Sequence, residues 1–232
     1  MVYAGESFLL NGISKIKNLV YASSSSVYGG NSKIPFSEKD PVNNPISLYA
    51  ATKRSNELMA NTYSHLYKIP ATGLRFFTVY GPWGRPDMAP MIFAKAILNG
   101  DNLKIFNRGN MKRDFTYVDD IVAAVIKCAF KVATPNFPSK DQIENPSNSY
   151  SPHRIFNIGR GQSIELNYFI ELLEKNLGKK ANKIMMPMQS GEVKETLSNC
   201  TALEEWINYK PTTSIETGVS KFINWFKNYY EK

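Results

Sequence analysis

Short apolar runs alternate with longer segments of helical periodicity along this chain, and this alternation constrains the fold more than any other feature. Asn18–Ser23 and Thr72–Val79 are predicted strands, and Ser47–Tyr67 and Met88–Leu98 space their apolar residues as helices do. The pattern continues through Leu103–Phe106, Val118–Phe130, Arg154–Ile158, Ser163–Leu177 and Ser214–Tyr230. Strands that alternate with helices indicate an α/β protein built on a parallel sheet.

The composition describes a chain that can bury a core and that carries excess positive charge. Of its 232 residues, 43% are hydrophobic, and 28 Lys and Arg oppose 20 Asp and Glu, for a formal net charge of +8. The basic residues are scattered, without a recognition-helix or zinc-finger spacing, so no nucleic-acid partner is expected. The charge favours an anionic small molecule such as a phosphorylated metabolite.

Membrane, secreted and metal-binding classes are disfavoured by the sequence. No run approaches the roughly 18 apolar residues that a membrane span requires, and Glu6, Asn11 and Lys15 interrupt the stretch where a secretory signal is apolar. A cytoplasmic location without a membrane partner is therefore expected. The two cysteines and two histidines show no metal-ligand spacing, so neither a metal site nor a disulfide framework is predicted.

Tyr49 and Lys53 lie four residues apart on the predicted helix Ser47–Tyr67, so their side chains project from one face. A nearby ammonium favours the phenolate form of a tyrosine, which can then act as a base. A chain of this composition holds about one such pair by chance. An ordinary solvated pair is the alternative interpretation.

Polar residues follow the first two predicted strands. Ser24–Ser26 follow the first strand, whereas Thr78 and Arg85 lie at and after the end of the second. Because the carboxyl ends of parallel strands form the ligand crevice of open α/β sheets, these residues are expected to face one cavity. The alternative for the serines is a turn in which the hydroxyls make local hydrogen bonds.

Four stretches carry a family resemblance: LVYASSSSVYGGNSKIPFSEKD, SLYAATKRSNELMANTYSHLY, TGLRFFTVYGPWGRPDM and GNMKRDFTYVDDI. They resemble the extended short-chain dehydrogenase/reductases of the NAD-dependent epimerase/dehydratase family, and within them the UDP-glucuronate 4-epimerases. The resemblance implies the C-terminal part of an incomplete Rossmann-like, doubly wound parallel sheet with a smaller substrate-binding α/β region. It places the NAD-binding part and the catalytic helix in 1–85. The UDP-sugar region lies mainly in 86–232, with some strands and helices returning to the main sheet.

The resemblance also implies roles for single residues. Tyr49 is the implied catalytic base and acid, Lys53 its partner and a ribose ligand of NAD, and Ser24 the hydroxyl that bonds the reacting oxygen. Phe76 and Val79 are expected to approach the nicotinamide. The residues implied to bind the UDP-sugar are Ser25, Ser26, Thr78, Arg85, Arg113 and Gln189.

Among these substrate residues, Thr78 and Arg85 resemble positions that face a sugar carboxylate, and Arg113 resembles a contact to the UDP diphosphate. A planar guanidinium suits both anions. Gln189 lies in MQSGEV, which resembles a nucleotide-binding stretch of the family. A polar surface loop is the alternative for that stretch.

The implied activity is NAD-dependent 4-epimerisation of a nucleotide sugar. For UDP-glucuronate it proceeds by transient oxidation at C4 and return of hydride to the opposite face, which gives UDP-galacturonate. Ser24–Ser26 offer no carboxylic acid, which disfavours a 4,6-dehydratase. A UDP-glucose-type 4-epimerase or another epimerase/dehydratase remains the alternative.

One family element is missing from the sequence. No G-x-G-x-x-G follows any predicted strand, although the family holds the dinucleotide diphosphate on such a turn. We therefore expect a truncated or split chain without independent turnover. Its expected protein partner is a second copy of itself in a homodimer or a complementing N-terminal chain.

Overall fold

The computed structural model describes residues 16–135, 147, 149–189 and 193–230 of this mixed α/β protein. Residues 1–15 of the first predicted domain lie outside this range. The strands are β1 (Leu19–Ser24), β2 (Ala71–Phe76), β3 (Thr78–Tyr80), β4 (Asn102–Ile105), β5 (Lys112–Tyr117), β6 (His153–Ile158), β7 (Ser163–Glu165) and β8 (Asn182–Met185). The α-helices are α1 (Leu48–Tyr67), α2 (Ala89–Asn99), α3 (Val118–Phe130), α4 (Leu166–Leu177), α5 (Thr201–Ile207) and α6 (Ile215–Tyr230).

The chain divides into two compact units. The described residues of unit one fall within Met1–Phe77, Val122–Ile158 and Ser198–Lys210. Those of unit two fall within Thr78–Ile121, Gly159–Leu197 and Pro211–Lys232. Each unit therefore combines segments that are distant in sequence.

Unit one is built on a parallel sheet with the strand order β1, β2, β6. The central strand β2 is buried along almost its whole length, as expected for a parallel strand with neighbours on both sides. Helix α1 follows β1 in the chain, and the Ser47 hydroxyl accepts a hydrogen bond from the Ala50 amide at 3.1 Å. The α/β class and the predicted start of this helix are both confirmed.

The single strand expected over Thr72–Val79 is two strands. Strand β2 ends at Phe76, and β3 begins at Thr78 and pairs with β5 instead. Between them, the Phe77 amide donates to the Ile158 carbonyl at 3.1 Å, and the Phe77 side chain is buried. The apolar sequence continues across this break, so hydrophobicity alone did not reveal it.

Unit two contains an apolar core around two small sheets. The strand orders are β3, β5, β7 and β4, β8. The rings of Phe115 and Phe169 stack at 4.3 Å inside this core, and the apolar face of α6 joins it through Phe222. The helix expected from Ser163 begins at Leu166, because the residues before it form β7 and pair with β5.

No helix among the described residues has both the length and the apolar character that would let it cross a lipid bilayer.

His153 is a buried titratable residue of the unit-one sheet. Its Nε2 atom is hydrogen bonded to the Tyr21 hydroxyl at 2.8 Å, and the two rings stack. Burial lowers the pKa of His153 to about 4 from the ordinary 6.5. Burial also raises the pKa of Tyr21, so both groups remain neutral near pH 7.

The stability of this chain should fall on acidification through His153. The unfolded chain takes up the imidazole proton near pH 6.5, whereas the folded chain takes it up near pH 4. The buried neutral imidazole therefore contributes roughly 3 kcal/mol to the free energy of unfolding. This contribution is complete above pH 6.5 and is lost as the pH falls to 4. Urea unfolding from pH 4 to 7 measures it.

His153→Phe should remove this part of the pH dependence, since the aromatic ring stays but the titrating group is lost. His65→Asn is the matched control, because His65 is exposed and is the only other histidine of the chain. A His153→Phe variant with the wild-type pH slope would show that the imidazole is not the source.

Candidate active site

Tyr49 and Lys53 occupy the first two turns of α1 in unit one. The Lys53 ammonium donates to the Ala22 carbonyl of β1 at 3.0 Å, and its Nζ lies 5.8 Å from the centroid of the Tyr49 ring. Tyr49 is 51% exposed, and its hydroxyl makes no hydrogen bond to any described residue. The structure thus places the two side chains together, ties the lysine to β1 and leaves the phenol open to a ligand.

The serine cluster begins at the end of β1. Ser24 caps a 3-10 helix, Ser25–Tyr28, where its hydroxyl accepts from the Ser26 amide at 3.2 Å and donates to the Ser26 hydroxyl at 3.1 Å. The local bonds expected for a serine turn are therefore formed. Ser24 also lies opposite Phe76 in the β1–β2 register, so these two predicted site residues are neighbours at the carboxyl ends of their strands.

A buried ion pair, which the sequence reasoning missed, lies beside these residues. Arg75 of β2 donates from Nε and Nη2 to the two carboxylate oxygens of Glu57 on α1, at 2.8 and 3.0 Å. Both side chains are 0% exposed. Glu57 also accepts from the Ser23 hydroxyl at 2.6 Å and from Arg54 at 2.9 Å.

The electrostatics of this pair favour both charged forms. Burial by itself raises the pKa of Glu57, but the hydrogen bonds and charge of Arg75 outweigh it and hold the pKa below its ordinary value. Burial likewise opposes the charge on Arg75, and the bonds to Glu57 raise its pKa overall. The arginine within the apolar stretch LRF is the sequence feature that could have predicted this ion pair, because a charge buried in a parallel strand needs a partner.

The network continues from Arg75 to strand β6. Arg75 Nη1 donates to the Tyr28 hydroxyl at 3.0 Å, which donates to Asn157 Oδ1 at 2.6 Å. The backbone amide of Asn157 donates to the Glu38 carboxylate at 2.9 Å. Burial raises the pKa values of Tyr28 and Glu38. The segments around β1, β2 and β6 are therefore joined by one chain of polar groups, all buried except the half-buried Arg54, which we call the Glu57–Arg75 network (Ser23, Tyr28, Glu38, Arg54, Glu57, Arg75, Asn157).

Unit two contains a cavity of about 580 Å³. Alternation along β5 turns Arg113 and Phe115 to the same face, and Thr78 lies opposite Phe115 in the β3–β5 register. The lining residues are Thr78, Asp87, Met88, Ala89, Ile92, Phe93, Asn102, Leu103, Lys104, Phe106, Met111, Arg113, Phe115, Leu166 and Gln189. Three predicted substrate residues, Thr78, Arg113 and Gln189, thus line one cavity.

The chemistry of this cavity suits a ligand with both a planar ring and an anionic group. Its walls are largely apolar and aromatic, whereas Lys104 and Arg113 provide positive charge and Asn102 and Gln189 provide amides. Arg113 Nη1 is held by the carbonyls of Lys112 and Lys194, at 2.9 and 3.2 Å. A second cavity of about 570 Å³ is less suited to an anion, because its lysines are matched by glutamates.

Asp114 fixes the loop beside Arg113. It is fully buried and accepts from the backbone amides of Arg160 and Gly161 at 3.0 and 3.1 Å. The KRDF motif predicted a role for Arg113 and none for this aspartate. Its carboxylate joins β5 to the segment that follows β6 in the chain, which steadies the strand that carries Arg113.

Two predicted residues have other surroundings. Arg85 is not among the residues that line the cavity, and its guanidinium forms a two-point pair with Asp87, which does line it, at 3.0 and 2.6 Å. Val79 lies in β3 opposite Thr116. Their expected contacts to substrate and nicotinamide stay predictions.

Comparison with known proteins gives the family. The model of the NAD dependent epimerase/dehydratase family matches residues 8–139. This chain belongs to that family. The resemblance inferred from the sequence motifs is confirmed.

Relatives within the epimerase/dehydratase family are close in sequence. Protein CapI of Staphylococcus aureus is 54% identical over 217 residues, which cover 94% of this chain and 65% of CapI. A probable UDP-glucuronate 4-epimerase of Rhizobium meliloti is 45% identical over 93% of this chain and 64% of its own length. The chain thus spans slightly less than two thirds of these relatives.

A solved family structure has the same fold. The UDP-glucuronic acid 4-epimerase of Bacillus cereus, in complex with UDP-glucuronic acid and NAD, matches with a TM-score of 0.83 and 30% identity. The match covers 98% of this chain and 67% of that chain. The predicted Rossmann-like α/β class is therefore confirmed.

Proposed function

We propose that this chain carries the catalytic and UDP-sugar-binding residues of an NAD-dependent UDP-glucuronate 4-epimerase. The observation that carries the proposal is the unit-two cavity, which Thr78, Arg113 and Gln189 line together. The Tyr49–Lys53 pair on α1 supplies the matching chemistry, and the names of the relatives support the same substrate. The proposal assigns the NAD-binding part to 1–85 and UDP-sugar binding mainly to 86–232.

Tyr49 acts as the base and acid in this proposal. Epimerisation at C4 requires removal of the proton of the C4 hydroxyl and its later return. The half-exposed Tyr49 hydroxyl is available for this transfer, and the Lys53 ammonium lies beside the Tyr49 ring. Ser24 bonds the reacting oxygen, for which it exchanges its hydrogen bond to Ser26 for one to the sugar.

The described residues fit the nicotinamide ribose of NAD better than they fit its diphosphate. Lys53 uses one of its three ammonium protons on Ala22, so two remain for ribose hydroxyls, and Tyr49 lies beside it. Bound there, NAD would supply the acceptor and donor of the hydride at the sugar carbon. The one pair of adjacent glycines, Gly29 and Gly30, is no diphosphate cradle, because a Cβ at Gly29 would meet the Asn44 carbonyl oxygen at 2.0 Å.

Substrate anchoring falls to the unit-two cavity. Arg113 and Lys104 hold the diphosphate, the apolar and aromatic walls hold the uracil ring, and Gln189 contacts the nucleotide. Holding the nucleotide leaves the sugar free to turn between removal and return of the C4 proton. Ser25, Ser26, Thr78 and Arg85 contact the sugar, and Arg85 together with Thr78 selects the carboxylate. Phe76 and Val79 approach the nicotinamide.

The first test concerns Arg113 in the cavity. Arg113→Ala should weaken binding of UDP-glucuronate roughly ten- to hundredfold in isothermal titration calorimetry, since charge-assisted hydrogen bonds to the diphosphate are lost. Lys95→Ala, which removes one exposed charge outside the cavity, should stay within twofold. Equal losses in the two variants would mean that only net charge matters and that the cavity is not the site.

A neutral sugar is the second candidate substrate, and one observation favours it. Arg85 is engaged by Asp87, so its charge is already balanced without a sugar carboxylate. If the carboxylate is recognised, Arg85→Ala should weaken UDP-glucuronate binding about tenfold and leave UDP-glucose binding within twofold. Equal effects on the two ligands would favour the UDP-glucose-type 4-epimerase.

Residues 1–232 taken by themselves are expected to lack turnover, because no glycine-rich phosphate-binding turn follows a predicted strand among them. We expect no conversion of UDP-glucuronate by the purified chain with NAD alone. Conversion should appear on co-expression with the part of the Staphylococcus aureus relative that this chain does not match, and Tyr49→Phe should abolish it. Product analysis by NMR measures conversion, and size-exclusion chromatography separates a homodimer from a complemented pair. Turnover by the chain alone contradicts this prediction.

A further inference from the structure

The members of the Glu57–Arg75 network adjoin the residues to which catalysis is assigned. Ser23 directly precedes Ser24, and Glu57 lies one helical turn after Lys53 on α1. Arg75 is the penultimate residue of β2 and pairs in register with Ser23. The network thus connects the catalytic helix to the strand ends where the candidate site begins.

The geometry of the ion pair fixes the position of α1 relative to the sheet in more than one direction. Two parallel hydrogen bonds between a guanidinium and a carboxylate set both a distance and an orientation. The Ser23 hydroxyl, at 2.6 Å from Oε1, adds a third bond from β1 to the same carboxylate. Helix α1 is therefore tied to β1 and β2 at once, one turn from Lys53.

Stability alone is a weak reason for such a pair. Desolvating two charges costs several kcal/mol, and apolar residues of similar volume often serve a core equally well or better. A fully buried pair with a hydroxyl on the same carboxylate is instead suited to hold two elements in one register. Apolar packing is not directional, so it lacks this property.

We infer that Glu57 is a positioning residue: through Arg75 and Ser23 it sets α1 on the sheet so that the Lys53 ammonium reaches the Ala22 carbonyl beside Ser24. The catalytic meaning of this placement rests on the proposed function. The placement itself is a property of unit one and is measured without substrate or NAD.

The test replaces the pair by apolar residues in the full chain. In Glu57→Leu/Arg75→Met the core volume is retained, so the variant should fold with a urea midpoint near that of the wild type. The readout is the NMR signal of the Lys53 ammonium, assigned by its loss in Lys53→Arg. Hydrogen exchange of this ammonium with water should quicken roughly tenfold, because its bond to Ala22 is lost.

A second variant and a matched control complete the design. Glu57→Gln keeps the shape of the side chain and removes its charge, so it tests the positioning role of Glu57 if the double variant does not fold. Glu174→Gln removes another buried carboxylate, which pairs with Lys180 and Lys183 in unit two, and should leave Lys53 exchange unchanged. UDP-glucuronate affinity should stay within twofold in the Glu57 variants, because Glu57 does not line the cavity.

The possible outcomes distinguish the positioning role of Glu57 from the proposed function. Wild-type exchange of the Lys53 ammonium in a folded Glu57 variant overturns the positioning role, as does the lack of a protected Lys53 signal in the wild type. Quickened exchange in Glu174→Gln as well would show a general loss of stability and also overturns it. Failure of UDP-glucuronate to bind the wild type overturns the proposed function and leaves the Lys53 result intact.

Discussion

The ion pair between Glu57 and Arg75 is the interaction around which unit one is arranged. It buries two full charges, and the two-point geometry together with the bonds of Glu57 to Ser23 and Arg54 and of Arg75 to Tyr28 offsets the cost of that burial. Because α1 and β2 each contribute one partner, the helix and the central strand cannot shift independently. Because Tyr49 and Lys53 lie on α1, this arrangement also sets their positions.

Unit two uses a buried carboxylate in a different way. Asp114 accepts hydrogen bonds from the backbone amides of Arg160 and Gly161, in the segment after β6, at 3.0 and 3.1 Å. These peptide N–H groups stabilise the charged carboxylate, which suits a place where a strand must hold a loop. The neighbouring Arg113 is thereby kept at the cavity wall with its own guanidinium braced by carbonyls.

Family motifs in the sequence led to the candidate residues, but not to the partners of those residues. The helix spacing placed Tyr49 and Lys53 on one face, and the N-cap rule placed the start of α1 at Ser47. Strand β5 was not predicted, since KRDFTY lacks clean alternation, yet it carries Arg113. The break at Phe77 and strand β7 were missed for a related reason, because pairing with distant segments, not local propensity, decides where a strand ends.

The sequence by itself determined the α/β class, the family and the main helices, and it proposed the candidate catalytic side chains, because periodicity and motifs are local in the chain. Only the tertiary structure decided that Arg75 pairs with Glu57, that Thr78, Arg113 and Gln189 share one cavity, and that Arg85 pairs with Asp87. Those facts depend on contacts between residues far apart in sequence or on the course of a loop, and burial, not spacing, fixes which partner a charged group must find.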